Sequence, residues 1–227
     1  MELKDILDLT ENQNNEFNKY MELLLEWNQK INLTAITEEN DIKIKHFVDS
    51  ISIAKYFEKG DKVIDVGTGA GFPGIPLKIV NDSLDITLMD SLNKRIMFLQ
   101  EVIKQLSLTK INAIHGRAEE LGRCDEFREK FDIATSRAVA NLSTLLEYMM
   151  PFVKVGGKCI CMKGPNVQEE IRNSNNAITE LGGKLEKIDN FILPNSDIER
   201  NIIIIKKIKK INNKYPRKPG TPSKEPL

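Results

Sequence analysis

Histidine, cysteine and tryptophan are scarce in this chain, and so is any excess of charge. Among 227 residues there are two histidines, three cysteines and one tryptophan. Cys124, Cys159 and Cys161 with His46 and His115 offer too few soft ligands at workable spacings for a metal site, so no metal is expected. An odd number of cysteines, two of them flanking a single residue, argues for free thiols in a reducing compartment. No apolar run approaches the roughly 20 residues of a membrane span. The amino end MELKDILDLTENQNNEF is acidic and polar where a secretory signal would be basic and then apolar. A cytoplasmic protein without membrane contact is therefore expected. Its 33 Lys and Arg balance 33 Asp and Glu, which excludes a protein that coats nucleic acid with a uniformly basic surface. The balance hides a gradient, because Lys206 to Leu227 holds eight cations and one acid while the first 205 residues hold 25 and 32. Any contact with a polyanion must use a local patch, and the tail is one.

What is present is a chain long enough for one main domain with a smaller appendage, without internal repeats. Residues 1–58 read as a helical cap. Thr10 and Gln13 have capping-box spacing, and Phe17, Tyr20, Met21, Leu24 and Trp27 follow at helical intervals. The Asn-rich stretch 28–40 breaks the period, and a second helix is predicted over 41–57 with Ile44, Phe47, Val48, Ile51 and Ala54 on one face. Residues 59–211 alternate strands (62–66, 85–90, 111–115, 131–136, 157–162) with amphipathic helices such as 93–106, which argues an α/β fold with a parallel sheet covered on both faces. The last two strands, 184–191 and 199–208, are separated only by a loop containing Pro194-Asn195 and should form an antiparallel hairpin at one edge. Residues 212–227 form a basic, proline-rich tail. Pro216, Pro219, Pro222 and Pro226 discourage regular structure, which leaves Arg217 and the lysines free to meet phosphates unless the tail packs on the domain.

The most informative segment is Val63-Ile64-Asp65-Val66-Gly67-Thr68-Gly69-Ala70-Gly71-Phe72-Pro73-Gly74-Ile75-Pro76. A buried strand runs into a glycine turn and then a helix, at the carboxyl end of a strand where open α/β sheets bind ligands. A dinucleotide fingerprint needs a third glycine where this chain has Phe72. Asp-x-Gly-x-Gly-x-Gly is instead the S-adenosylmethionine pattern. That ligand has no phosphate, so close backbone approach matters more than a helix amino end. Asp90, 23 residues beyond Gly67 and ending the next strand, is placed to accept hydrogen bonds from ribose hydroxyls.

At these residues the chain resembles the bacterial 16S ribosomal RNA guanine-N7 methyltransferases called RsmG or GidB. The resemblance runs nearly end to end. It rests on WNQKINLTAI at 27–36, His46 with Asp49 and Ser50, DVGTGAGFPGIP at 65–76, Asp90 with Lys94-Arg95, Arg117-Ala118-Glu119-Glu120, Ser136-Arg137-Ala138, Lys163-Gly164 and RKPGTP at 217–222. It implies a Rossmann-like class I methyltransferase fold, with a mainly parallel seven-stranded sheet, one antiparallel edge hairpin and the amino-terminal helical cap. The implied activity is methyl transfer from S-adenosylmethionine to N7 of a specific guanine. The implied partner is 16S rRNA or the small ribosomal subunit, and the chain is expected to act as a monomer.

By the same resemblance, Gly67, Gly69, Phe72, Asp90, Ala118, Glu119 and Arg137 should touch the cofactor. Lys94, Arg117, Arg137 and Lys163 fall on one rim of strand ends, where cations would meet RNA phosphates. No catalytic base is nominated: N7 already presents a lone pair, so orientation and electrostatics by Arg137 and Lys163 should suffice. His46 and Asp49, three apart on a predicted helix, read as fasteners between cap and core or as a wall of the substrate cleft. His115 reads as structural. Cys159 and Cys161 read as buried strand positions rather than as a nucleophile for a pyrimidine ring. Ser136-Arg137-Ala138-Val139 stands where an amino-methylating enzyme shows Asn or Asp followed by Pro-Pro. The competing readings are a methyltransferase acting on a small molecule or protein and a non-catalytic rRNA-binding assembly factor.

Overall fold

The computed structural model describes residues 2–227. The first long helix, Glu11–Ile31, starts where the capping box placed it: Thr10 Oγ1 accepts from the Gln13 amide, and Gln13 Oε1 accepts from the Thr10 amide. It ends at Asn32, whose φ of 50° places it in the left-handed region. Its buried stripe of Phe17, Tyr20, Met21 and Leu24 faces the sheet layer.

The second cap helix is not the single helix expected over 41–57. It is an α turn at Glu39–Ile42, a π-helical stretch at Lys43–Val48, a further α turn at Asp49–Ile51 and a 3-10 turn at Ala54–Tyr56. Side chains compete for the carbonyls of the widened stretch. Arg137 Nη1 donates to the carbonyls of Lys45 at 3.1 Å and His46 at 3.4 Å, and Ser50 Oγ donates to that of His46 at 2.5 Å. Such insertions are a recognised cause of breaks in the helical ladder.

Among the described residues seven strands form one sheet: β1 (Lys62–Val66), β2 (Asp85–Asp90), β3 (Ile111–His115), β4 (Phe131–Arg137), β5 (Val153–Lys163), β6 (Gly183–Ile192) and β7 (Glu199–Lys207). Their order is β3-β2-β1-β4-β5-β7-β6. Pairings among the first five are parallel, whereas β7 runs antiparallel to both β5 and β6. The expected fold class holds, with the hairpin inserting its second strand next to β5 and leaving β6 at the edge. Alternation along the strands divides the interior in two. Val63, Ile133, Ile160 and Ile202 join a core shared with the cap, while Ile64, Ala134, Cys161 and Ile203 join one under the helix Leu142–Met149. The chain changes direction between β1 and β4, so the loops after these two strands open a crevice at their carboxyl ends.

The expectation of a loose basic tail is corrected. Tyr215, Pro216 and Pro222 are buried, and Arg217 makes a bidentate ion pair with Glu147, a fully buried carboxylate in the helix Leu142–Met149. The Gly220 amide donates to Glu119 Oε1 at 3.0 Å, and Thr144 Oγ1 donates to the Pro222 carbonyl at 3.0 Å. Lys207 pairs with Glu129 and Lys214 with Glu180. Composition marked this stretch as a free cationic arm, but one buried acid 70 residues upstream, Glu147, claims its arginine. No helix among the described residues is long and apolar enough to cross a membrane.

Candidate active site

A cleft of about 790 Å³ opens at the carboxyl ends of β1, β4 and β5 and is roofed by the cap. Its floor is the loop after β1. Asp65 is buried and pins that loop at both ends, accepting from Thr68 Oγ1 at 2.7 Å and from the Gly74 amide at 2.9 Å. Burial pushes its carboxyl up to about 6, against those two hydrogen bonds. Asp65 thus shapes the loop rather than facing the cleft. Gly67, Gly69, Phe72 and Asp90 line the cleft.

The Asp90 carboxylate accepts from the Gly69 amide at 3.0 Å, the Leu92 amide at 2.9 Å and Arg95 Nη1 at 3.1 Å. Three of a carboxylate's roughly four acceptor positions are therefore in use. Of the three donors, only Arg95 is a side chain that can swing away.

Ala118 and Glu119 border a smaller cavity of about 180 Å³ that shares Gly67, Asp90, Ser91 and Val139 with the main cleft. Val139 stands between the two, covering Gly67. The Glu119 carboxylate, expected beside a cofactor, is held from behind by the tail's Gly220 amide.

Arg137 leaves the end of β4 and is 13% exposed. Its guanidinium lies 5.0 Å from the Phe72 ring centroid and pairs with Asp49 Oδ2 at 3.0 Å. Asp49 in turn accepts from Arg200 Nε of β7 at 2.9 Å. The His46 ring stacks on Phe72 with centroids 4.5 Å apart and planes 15° apart. Burial and the neighbouring Arg137 cation hold its imidazole down to about 3, so it is neutral. His46 and Asp49 both fasten the cap to the sheet and wall the cleft.

The four rim cations do not converge equally. Arg137 and Lys163 line the cleft, Arg117 lines the smaller cavity, and Lys94 is exposed outside both. Lys163 donates to the Ala140 carbonyl at 2.6 Å and to Glu170 Oε1 at 2.7 Å. Sequence reasoning gave no site role to Thr34, Arg95, Val139 or Arg200, although Arg95 and Val139 stand in the Lys94-Arg95 and Ser136–Val139 motifs. Thr34 lay inside the WNQKINLTAI segment, but nothing in the spacing of Arg200 announces that it returns to Asp49. Burial pushes the Cys161 thiol up to about 12 and the Cys159 thiol well above its ordinary range, which makes neither a nucleophile. Among the described residues no group of three His, Cys, Asp or Glu side chains could hold a metal ion.

The family model described as rRNA small subunit methyltransferase G matches residues 13–203. The chain belongs to that family. Ribosomal RNA small subunit methyltransferase G of Alkaliphilus metalliredigens is 54% identical over 221 residues, covering 96% of this chain and 92% of the relative. That of Clostridium tetani is 55% identical over 219 residues, with the same two coverages. Among solved structures, M. jannaschii TYW2 in complex with AdoMet superposes with a TM-score of 0.56 at 16% identity, covering 70% of this chain and 75% of that one. A SAM dependent methyltransferase from Aquifex aeolicus gives 0.53 at 15%, covering 74% and 93%. These two likenesses speak to the fold alone. Membership of the small-subunit rRNA methyltransferase G family then fits a cleft with a glycine loop at one end and paired cations along its rim.

Proposed function

We propose that the chain transfers the methyl group of S-adenosylmethionine to N7 of a guanine in 16S rRNA, as a cytoplasmic monomer. The observation that carries the reading is one cleft, at the sheet's change of direction, that joins the Gly67–Phe72 loop and Asp90 to Arg137 and Lys163.

The residues present fit the cofactor. A methyl built on Gly69 would meet nothing within 4 Å, so open space lies where the ligand needs close backbone approach. Gly67, Gly69 and Phe72 would flank its methionine and ribose portion, Asp90 would accept from the ribose hydroxyls once Arg95 turns outward, and Ala118 and Glu119 would border the adenine. When bound, S-adenosylmethionine supplies an electrophilic methyl on a positively charged sulfur.

Because that positive charge passes from sulfur to the base, the site needs to orient the reactants rather than neutralise a new charge. The side chains agree. Of the five cations lining the cleft, Lys45 pairs with Asp41, Arg95 with Asp90, Arg137 and Arg200 with Asp49, and Lys163 with Glu170. His46 is neutral. A base that becomes cationic therefore meets compensated rather than naked charge, and N7 needs no group to deprotonate it. Lys94 and Arg117, exposed and in no ion pair among the described residues, would meet RNA phosphates along the rim, and Arg137 and Lys163 would do so by exchanging Asp49 and Glu170 for phosphate.

The test is incubation of purified protein and labelled S-adenosylmethionine with small ribosomal subunits from a strain lacking the gene. Mass-spectrometric mapping should place one N7-methylguanine in 16S rRNA. Transfer only to protein or to small molecules would overturn the reading.

A further inference from the structure

The hydrogen bonds around Thr34 leave its hydroxyl able to do only one thing. Asn28 Oδ1 accepts from the amides of Leu33 at 2.7 Å and Thr34 at 2.9 Å, which fixes the turn after the first long helix and sets Thr34 on the cleft wall. Thr34 Oγ1 accepts from the Ile36 amide at 3.0 Å. It also lies 2.9 Å from His46 Nε2. The direction of that second bond is decided one residue further on. Arg137 Nη2 sits 3.2 Å from His46 Nδ1, and a guanidinium can only donate, so Nδ1 carries no proton. The ring is neutral, so its proton is on Nε2 and points at Thr34. Both lone pairs of the Thr34 oxygen are thereby taken. Its own O–H has no acceptor among the described residues, and the side chain is half-buried at the open cleft.

We propose that Thr34 is the residue that reads the 6-oxo group of the target guanine. The inference rests on the reading of the site as a guanine-N7 methyltransferase. O6 and N7 share one edge of guanine, so a group that touches O6 stands beside the reacting atom. An ordinary hydroxyl is a poor reader there, because it can donate to the oxygen of guanine or accept from the 6-amino group of adenine. The chain from Arg137 through His46 removes the second option. A donor-only hydroxyl bonds to guanine, and it faces adenine's amino group with no lone pair to offer. Its neutrality also suits the reaction, since a cation at O6 would draw more electron density away from N7.

The experiment uses small subunits reconstituted with 16S rRNA carrying either guanosine or 2-aminopurine riboside, which lacks the 6-oxo group, at the methylated position. Wild-type protein should lose about tenfold to a hundredfold in kcat/KM with 2-aminopurine, the effect of one buried hydrogen bond left unmade. Thr34→Val, which keeps the shape and deletes the hydroxyl, should show a similar loss with guanosine and little further loss with 2-aminopurine. Thr34→Ser should restore the wild-type ratio, and calorimetry should give all three proteins the same affinity for S-adenosylmethionine. A Thr34→Val enzyme that still discriminates as wild type does would overturn the proposal, as would weakened cofactor binding, which would assign the hydroxyl to the methyl donor. If wild-type protein transfers no methyl to the guanosine particles, the broader reading falls first and this one with it.

Discussion

At Gly67 an added methyl would lie 2.8 Å from Val139 Cγ2, and at Gly71 it would lie 2.5 Å from Ile75 Cδ1 and 2.7 Å from the Tyr20 hydroxyl. At Gly69 it would point into the open cleft. Three glycines that look alike in the loop are thus held by different things: packing at two of them, space for a ligand at the third. Gly69→Ala should fold, with stability reduced by about 1–2 kcal/mol because φ is +62°. Its affinity for S-adenosylmethionine should fall tenfold or more by calorimetry. Gly71→Ala, with φ at +100° and two close neighbours, should lose far more stability in thermal unfolding. His46 allows a second test at this scale. Its folded pKa of about 3 lies below the unfolded value near 6.5, so its contribution to stability is complete above pH 6.5. That contribution is lost as pH falls toward 3, at up to about 1.4 kcal/mol per pH unit. Asp65 runs the other way, because a carboxyl raised to about 6 favours the folded state increasingly as pH falls from 6 to 4. Denaturant unfolding between pH 7 and 4.5 should therefore show a shallower acid loss in His46→Gln than in wild type, and a steeper one in Asp65→Asn.

The elements that carry the glycine loop and Asp90 were legible because local chemistry decided them. Strands 62–66, 85–90 and 111–115 fall at the expected residues, since β-branched runs bounded by glycine or acid leave little choice. The π stretch at Lys43–Val48 was not legible, because Ile44, Phe47 and Val48 satisfy α and π periods equally over one turn. What widens it is Arg137, some 90 residues later. The tail was misread for a related reason. Its prolines and cations describe a loose arm, and only the fold reveals that Glu147 is buried beneath it. Arg200 and the bonding of Thr34 likewise depend on partners that no local pattern specifies. The tail's energetics follow from its burial. Arg217→Ala leaves a fully buried carboxylate unpaired and should lower unfolding free energy by about 3 kcal/mol in urea. The salt dependence of RNA binding by the folded variant should not change, because Arg217 was never free to displace counterions. A salt slope reduced by about one unit would return this residue to the RNA interface.

On the scale of the whole molecule, cap and sheet share one interior. Tyr20 from the first helix packs on Phe47 and Phe72 at 5.5 Å and hydrogen-bonds the Ala70 carbonyl of the glycine loop, while Trp27 lies 5.7 Å from Phe98. The cleft is built across this join: Thr34, His46 and Asp49 come from the cap, Gly69 and Asp90 from the first half of the sheet, Arg137 from β4 and Arg200 from β7. Asp49, 2% exposed, binds both arginines, so one carboxylate ties the three regions. A unit with such a shared core should unfold once. Calorimetry of the full chain should give a single transition whose calorimetric and van't Hoff enthalpies agree. A chain starting at residue 59 should fail to fold, because losing the cap strips cover from Phe72, Ile75 and Phe98, each worth roughly 1.5–3 kcal/mol when buried. Asp49→Ala should lower the one transition by about 3 kcal/mol, for it leaves two guanidinium groups facing each other without a counter-charge. Two separate transitions, or a 59–227 fragment that folds and binds S-adenosylmethionine, would show instead that the cap is a detachable lid and that only the substrate half of the cleft depends on it.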